Sequence, residues 1–370
     1  MEKFFYQEAP EKYWDFEALK NPPAFQDDYD ESSACDGLRA ITFDGVAENG
    51  KRTRTFAYIA LPDGEMPVGG WPGILLVHGG GGTAFAWAAK LWASYGFAVL
   101  VPDWYGRRPV NADIANGSGE LARPYTAHER THSPEDTPAH ITNVANLVLA
   151  HSLLRSLPEV DPENTAYVGL SWGSWYGAIL TAVDPRFKGV IEIYLGDKKD
   201  NELFINGRFL HAAKNKMYYV VGTNDTHGFP ATMQAGFEAC GKMLGNRTMI
   251  VELPHSHVGF RFKACRRYAE YLLKDAPGLP LLGKTVIDGS RISCEVADEG
   301  RGIKKVFLAF TCDRDESEPS KRKWELLPAE YDGKVISAML PENVFQCFLS
   351  AYDEDALEDY CCGTGDVITF

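Results

Sequence analysis

Gly169-Leu170-Ser171-Trp172-Gly173 is the stretch on which the reading of this chain turns. Asn164-Thr-Ala-Tyr-Val-Gly-Leu170 precedes it and reads as a strand. Trp172-Gly-Ser-Trp-Tyr-Gly-Ala-Ile-Leu-Thr-Ala-Val183 follows it, small and apolar throughout, and reads as a buried helix. A serine on a sharp strand-to-helix turn is held out from the backbone, where its oxygen reaches a bound molecule. Glycines at 169 and 173 are then required because strand and helix approach closely.

Working outward, the flanking segments alternate between strand and helix. Ile74-Leu-Leu-Val77 is a continuous apolar run suited to a strand buried on both faces, and it leads into His78-Gly-Gly-Gly-Gly82. A helix is expected over 83–95, and a second buried strand over Phe97-Ala-Val-Leu-Val101, ending in Pro102-Asp-Trp-Tyr-Gly106. Residues 107–139 carry no periodicity and read as a long functional or loosely ordered loop. Helical spacing returns over 141–155. Past the serine, strands are expected at 189–194, 216–221 and 249–253, with helices over 231–244 and 261–274. This alternation predicts a doubly wound, mostly parallel α/β sheet over residues 1–280. Its N-terminal arm, residues 1–36, is aromatic and acidic and reads as packed on the body. Two paired strands, 38–43 and 54–61, follow the arm. Beyond the change of pattern at 277–283, short alternating strands separated by turns such as Asp288-Gly and Asp332-Gly predict an antiparallel, immunoglobulin-like β-sandwich over 284–370.

Serine is a weak nucleophile until a base takes its proton, and that base is usually a histidine fixed by a carboxylate. Three loops after strand-like runs supply such groups in the order Ser171, Asp225, His257, which is the order a doubly wound hydrolase requires. Asp103 precedes the serine, and Asp184 lies too far along the following helix. His255 competes with His257. The deeper loop position and the small-residue turn after it favour His257. The oxyanion of a tetrahedral intermediate needs backbone N–H donors. Trp172 supplies one, and the glycine loop supplies a second, assigned to Gly79 or Gly80. His78 is read as shaping that loop. Trp104 and Tyr105, with the ring of Trp172, are read as lining the substrate pocket. Trp175 is assigned to the core, and Arg107 and Arg108 are read either as anion holders or as surface charge.

Composition bounds the partners. The formal net charge of -14 offers no basic field for nucleic acid. No apolar run approaches membrane-spanning length, and the N-terminus has no signal-like pattern. Eight scattered cysteines, none in a paired metal pattern, predict reduced thiols and a cytoplasmic location. The adjacent Cys361 and Cys362 read as buried thiols on a strand. Neither metal nor cofactor is expected. The expected partner is a small-molecule ester or acylated carbohydrate, and a homo-oligomer is compatible with the sequence.

The landmarks Leu76-Val-His-Gly-Gly-Gly-Gly-Thr-Ala-Phe85, Gly169-Leu-Ser-Trp-Gly173, Gly222-Thr-Asn-Asp225 and Pro254-His-Ser-His257 resemble α/β-hydrolases of the dienelactone hydrolase and prolyl oligopeptidase type. More closely, the chain is similar to bacterial acetylxylan esterase or cephalosporin-C deacetylase-like proteins. The similarity extends from about residue 40 into the C-terminal sandwich, through Arg322-Lys-Trp-Glu. It implies an α/β-hydrolase catalytic domain, the triad Ser171, Asp225 and His257, and hydrolysis of a carboxylic ester, with deacetylation of carbohydrate as one form. Peptidase activity of the oligopeptidase type and dienelactone hydrolase-like activity are the alternatives.

Overall fold

The computed structural model describes residues 9–48, 50–109, 117–120, 138–194, 209–253, 255–315 and 317–370. Most of the loop expected at 107–139 lies outside them. The chain forms two compact units, one of residues 1–192 and 201–216, the other of residues 193–200 and 217–370. The second unit holds the last part of the region read as α/β together with residues 284–370.

The first unit begins with a short helix, α1 (Phe16–Leu19), and the antiparallel strands β1 (Phe25–Asp27), β2 (Arg39–Glu48) and β3 (Lys51–Ala60). Then come β4 (Trp71–Val77), helix α2 (Ala86–Ser94), β5 (Ala98–Pro102) and the two short strands β6 (Arg107–Pro109) and β7 (Gly117–Glu120). Helix α3 (Pro138–Ser156), β8 (Val160–Leu170), helix α4 (Trp172–Val183) and β9 (Gly189–Ile193) complete it. The sheet order is β1-β2-β3-β5-β4-β8-β9, with β4 parallel to both β5 and β8.

Burial explains the sequence pattern. Ile74, Leu75, Leu76 and Val77 are all fully buried, as a strand covered on both faces requires. Every residue of α4 from Gly173 to Val183 is buried, which is why its sequence is small and apolar all round instead of amphipathic. The arm packs on the body as expected. Trp14 is buried, donates from Nε1 to the Ile141 carbonyl at 2.9 Å, and meets the Phe209 ring edge-on. Beneath the sheet, His151 bridges Asp184 (2.7 Å) and Thr165 (2.8 Å) and stacks on Phe187. This Thr-His-Asp array has the residue types of a catalytic triad. It is fully buried, and Arg186 also holds Asp184, so it joins α3, β8 and α4 rather than meeting a substrate.

In the second unit β10 (Lys216–Gly222) runs parallel to β11 (Leu244–Ile250), with helices α5 (Pro230–Cys240) and α6 (Lys263–Leu273). One expectation needs correction here. The strand read at 249–253 begins at Leu244 and ends at Ile250, and Glu252 then turns the chain with a φ of 58°.

The strands that follow are β12 (Leu281–Leu282), β13 (Val286–Asp288), β14 (Arg291–Asp298), β15 (Lys305–Thr311), β16 (Glu325–Pro328), β17 (Glu330–Tyr331), β18 (Val335–Met339), β19 (Gln346–Tyr352), β20 (Cys362–Thr364) and β21 (Ile368–Thr369). They form two antiparallel sheets, β12-β14-β18-β17 with β13 on β14, and β16-β15-β19-β20 with β21 on β19. Ile292, Cys294 and Ile336 of one sheet share a core with Leu308, Phe310, Cys347 and Leu349 of the other, which makes the pair a sandwich.

Buried polar bonds fasten this sandwich to β11 and α6 within the same unit. Arg267 makes a bidentate pair with Asp353 at 2.6 and 2.8 Å, both side chains fully buried. Arg247 donates to the Thr364 carbonyl at 3.0 Å and to Asp366 at 2.8 Å. Removing one partner of a buried pair of this kind costs roughly 3–5 kcal/mol. Cys361 and Cys362 are both buried, and burial pushes the Cys361 thiol up to about 12, so neither is poised for redox chemistry. Among the described residues no two cysteines are joined by a disulfide. Among them, too, no helix is long and apolar enough to cross a membrane.

Candidate active site

Ser171 stands between β8 and α4 with φ 54° and ψ -111°. A non-glycine residue in this region is strained by roughly 1–3 kcal/mol, and such strain collects at functional sites. The two flanking glycines permit the turn. A Cβ on Gly173 would lie 2.1 Å from the Val77 carbonyl oxygen, and one on Gly169 would lie 2.5 Å from the Gly173 backbone. Both obstacles are main chain, one at the end of strand β4 and one in the first turn of α4. Gly173→Ala is therefore expected to cost about 3 kcal/mol, the upper end of overpacking penalties, measured as a lowered midpoint of urea unfolding. An unchanged midpoint would show that strand β4 yields at no cost.

The glycine loop lies against this turn. A Cβ on Gly79 would meet the Ser171 Cβ at 2.9 Å, and one on Gly80 would meet the Trp172 ring at 2.6 Å. Two of the four loop amides are engaged elsewhere. Gly81 N–H donates to the Tyr105 hydroxyl at 3.1 Å, and Gly82 N–H donates to the Gly79 carbonyl at 3.1 Å. His78 is fully buried, with Nδ1 2.8 Å from the Gly79 carbonyl and its ring stacked on Trp104. It shapes the loop, in line with the sequence reading.

The aromatic residues divide in two. Trp104 is buried, donates from Nε1 to the His78 carbonyl at 2.9 Å and stacks on Tyr105 at 4.0 Å. It supports the loop through that bond. Tyr105 is half-buried and holds the Gly81 amide, while the Arg107 guanidinium lies over its ring at 4.1 Å. Arg108 is paired with Asp28. Trp175 is buried, edge-on to Trp172 at 4.3 Å, whereas Trp172 itself is half-buried.

The acid and the histidine belong to the second unit. Asp225 follows β10 and is almost fully buried. Its Oδ2 is 2.8 Å from His255 Nδ1, and its Oδ1 accepts from the His227 backbone N–H at 2.8 Å. Burial alone would raise this carboxyl, but the bonds from His227 and His255 outweigh it and hold the group down at about 2. Asp225 is thus the ionised partner of His255. His257, the expected partner, instead opens a 3-10 helix, His257–Arg261, whose N-cap Ser256 accepts from the Val258 N–H. The cause is the early end of β11. With the turn at Glu252, His255 is already deep in the loop.

Neighbouring contacts fix the pair. The His255 ring stacks on Tyr194, with centroids 4.6 Å apart, and His227 flanks it at 4.6 Å. Asn224 Nδ2 donates to the carbonyls of Ser320 (2.8 Å) and Arg322 (2.7 Å), tying the Asp225 loop to the C-terminal region. Sequence reasoning missed Asn224, Tyr194 and His227. Their partners lie up to 98 residues away or across the loop, and no local pattern marks them.

The model of the alpha/beta hydrolase family matches residues 74–325, more than half of the chain. The chain belongs to the alpha/beta hydrolase family. Two solved structures share the fold of this hydrolase. An acetyl xylan esterase from Paenibacillus sp. R4 is 16% identical with a TM-score of 0.53, covering 73% of this chain and 98% of its own. Acetyl xylan esterase 1 from Thermoanaerobacterium sp. JW/SL YS485 is 16% identical with a TM-score of 0.50, covering 68% of this chain and 90% of its own. No curated protein matches the hydrolase in sequence.

Proposed function

We propose that this alpha/beta hydrolase is a serine esterase that cleaves small acyl esters, acetylated carbohydrate among them, with Ser171 as nucleophile, His255 as base and Asp225 as orienting acid. The observation that carries the reading is the strained φ of Ser171 between two glycines that backbone contacts make obligatory. The chain order Ser, Asp, His and the Asp225–His255 hydrogen bond support it. The two acetyl xylan esterases of the same fold support the choice of acyl group.

The chemistry follows from these roles. With Nδ1–H committed to Asp225, the other ring nitrogen of His255, Nε2, is the one that takes the Ser171 proton as Oγ attacks the ester carbonyl. The resulting oxyanion is met by the Trp172 N–H and by the Gly79 or Gly80 N–H, since the amides of Gly81 and Gly82 are occupied. His255 then protonates the departing alcohol. Water, activated by the same nitrogen, releases the acid and restores Ser171. No step calls on a metal or cofactor. With a net charge of -14, a small neutral ester suits the protein better than a polyanion.

The test is a panel of chromogenic acyl esters of rising chain length, run beside acetylated oligosaccharides and aminoacyl amides, with Ser171→Ala as control. Hydrolysis that is fastest for acetyl esters and dependent on Ser171 is expected. Preferential cleavage of the amides would replace esterase with peptidase.

A further inference from the structure

Asp225 is flanked by two imidazoles, and catalysis as described uses only one. The Nδ1 of His255 lies 2.8 Å from Oδ2, and the Nδ1 of His227 lies 3.6 Å from Oδ1. One ligand atom from each of the three residues lies within 4.8 Å of the others. Tetrahedral zinc with bonds of about 2.0–2.1 Å sets its ligand atoms about 3.3 Å apart, so modest ring rotations complete the set. His227 is the most exposed member and the point of entry, with its side chain 58% exposed, against 19% for His255 and 0% for Asp225. Thr226 Oγ1 lies 3.0 Å from the same Nδ1, a bond that a cation replaces. Two imidazoles and one carboxylate form a borderline donor set that prefers Zn2+ and its neighbours to Mg2+ or Ca2+.

We infer that Asp225, His227 and His255 form a binding site for a divalent transition cation such as Zn2+, and that its occupation switches the esterase off. Binding at Nδ1 of His255 forces the single ring proton of the neutral imidazole onto Nε2. That nitrogen no longer has a lone pair for the Ser171 proton. The cation also takes the carboxylate that orients the ring. The inhibitory half of this inference rests on the reading of His255 as the base, whereas the binding half does not.

Tag-free, full-length protein is titrated with ZnCl2 by calorimetry and with CoCl2 by visible absorption, for the wild type, Ser171→Ala and His227→Gln. The His227 ring is largely exposed, so His227→Gln keeps the fold. Expected are one equivalent bound by the wild type and by Ser171→Ala, and affinity weakened about tenfold or more in His227→Gln, the loss of one ligand of three. Absence of stoichiometric binding, or equal affinity in His227→Gln, overturns the site. Zn2+ is then added to the wild type and to His227→Gln during ester hydrolysis, each rate being referred to its own metal-free value. Loss of the wild-type rate in step with occupancy supports the switch. Stoichiometric binding with undiminished turnover leaves the site standing and removes His255 from the role of base.

Discussion

Replacing Ser171 with Ala lowers kcat/KM for the best acetyl ester by about 10^4- to 10^6-fold, the range seen when a serine nucleophile that acts as a unit with its base is removed. In barrier terms this is about 6–8 kcal/mol, at about 1.4 kcal/mol per decade. Stability is expected to hold. Ser171 adopts φ 54°, a region that an alanine occupies at the same strain, and its side chain is only half-buried, so little packing is lost. The variant should therefore unfold at the wild-type urea concentration while being inactive. A residual rate within tenfold of the wild type would mean that the strained turn has a purely structural use.

The second large effect separates two histidines two residues apart. His255→Ala is expected to lose about 10^4-fold or more in kcat with KM little changed, because the base acts in the transition state. His257→Ala is expected to stay within about tenfold. The asymmetry follows from Asp225, whose oxygens are bonded to His255 and to the His227 amide. A carboxylate that orients the base is worth several orders of magnitude, and the ring bonded to it at 2.8 Å is that of His255. Equal losses in both variants would point to collapse of the 3-10 helix at 257–261 instead of loss of a base. Unfolding measured on the same samples distinguishes the two.

Much of this was legible from local pattern. The strand ending at Leu170 and the helix from Trp172 to Val183 appear where the sequence puts them, because a turn this tight excludes side chains at 169 and 173. The buried run at 74–77 and most strands of the sandwich are equally plain, since apolar continuity and alternation report how many faces are covered. The choice between His255 and His257 was not legible. It depends on where β11 stops, and Val251-Glu252-Leu253 continues its alternating pattern past the turn at Glu252. A bond from the Glu252 amide to the Thr223 hydroxyl, 29 residues apart, holds the turn that follows the strand. The burial of Trp104 was not legible for a related reason. Proximity in sequence to the glycine loop is shared by residues that line a pocket and by those that support the loop from beneath, and burial alone separates them. The two-residue strands β12, β17 and β21 are too short to carry a period.

The most direct measurement of the central claim is covalent. The wild type, Ser171→Ala, His255→Ala and His257→Ala are incubated with a serine-directed aryl phosphonate, digested, and the adduct mapped by tandem mass spectrometry. Phosphonylation requires both an exposed serine and a base that removes its proton, so it reads nucleophile and base together without assuming a substrate. The account predicts one adduct, on Ser171, formed by the wild type and by His257→Ala and absent from the other two. An adduct on another residue, or one that forms on Ser171 as fast in His255→Ala as in the wild type, would contradict it.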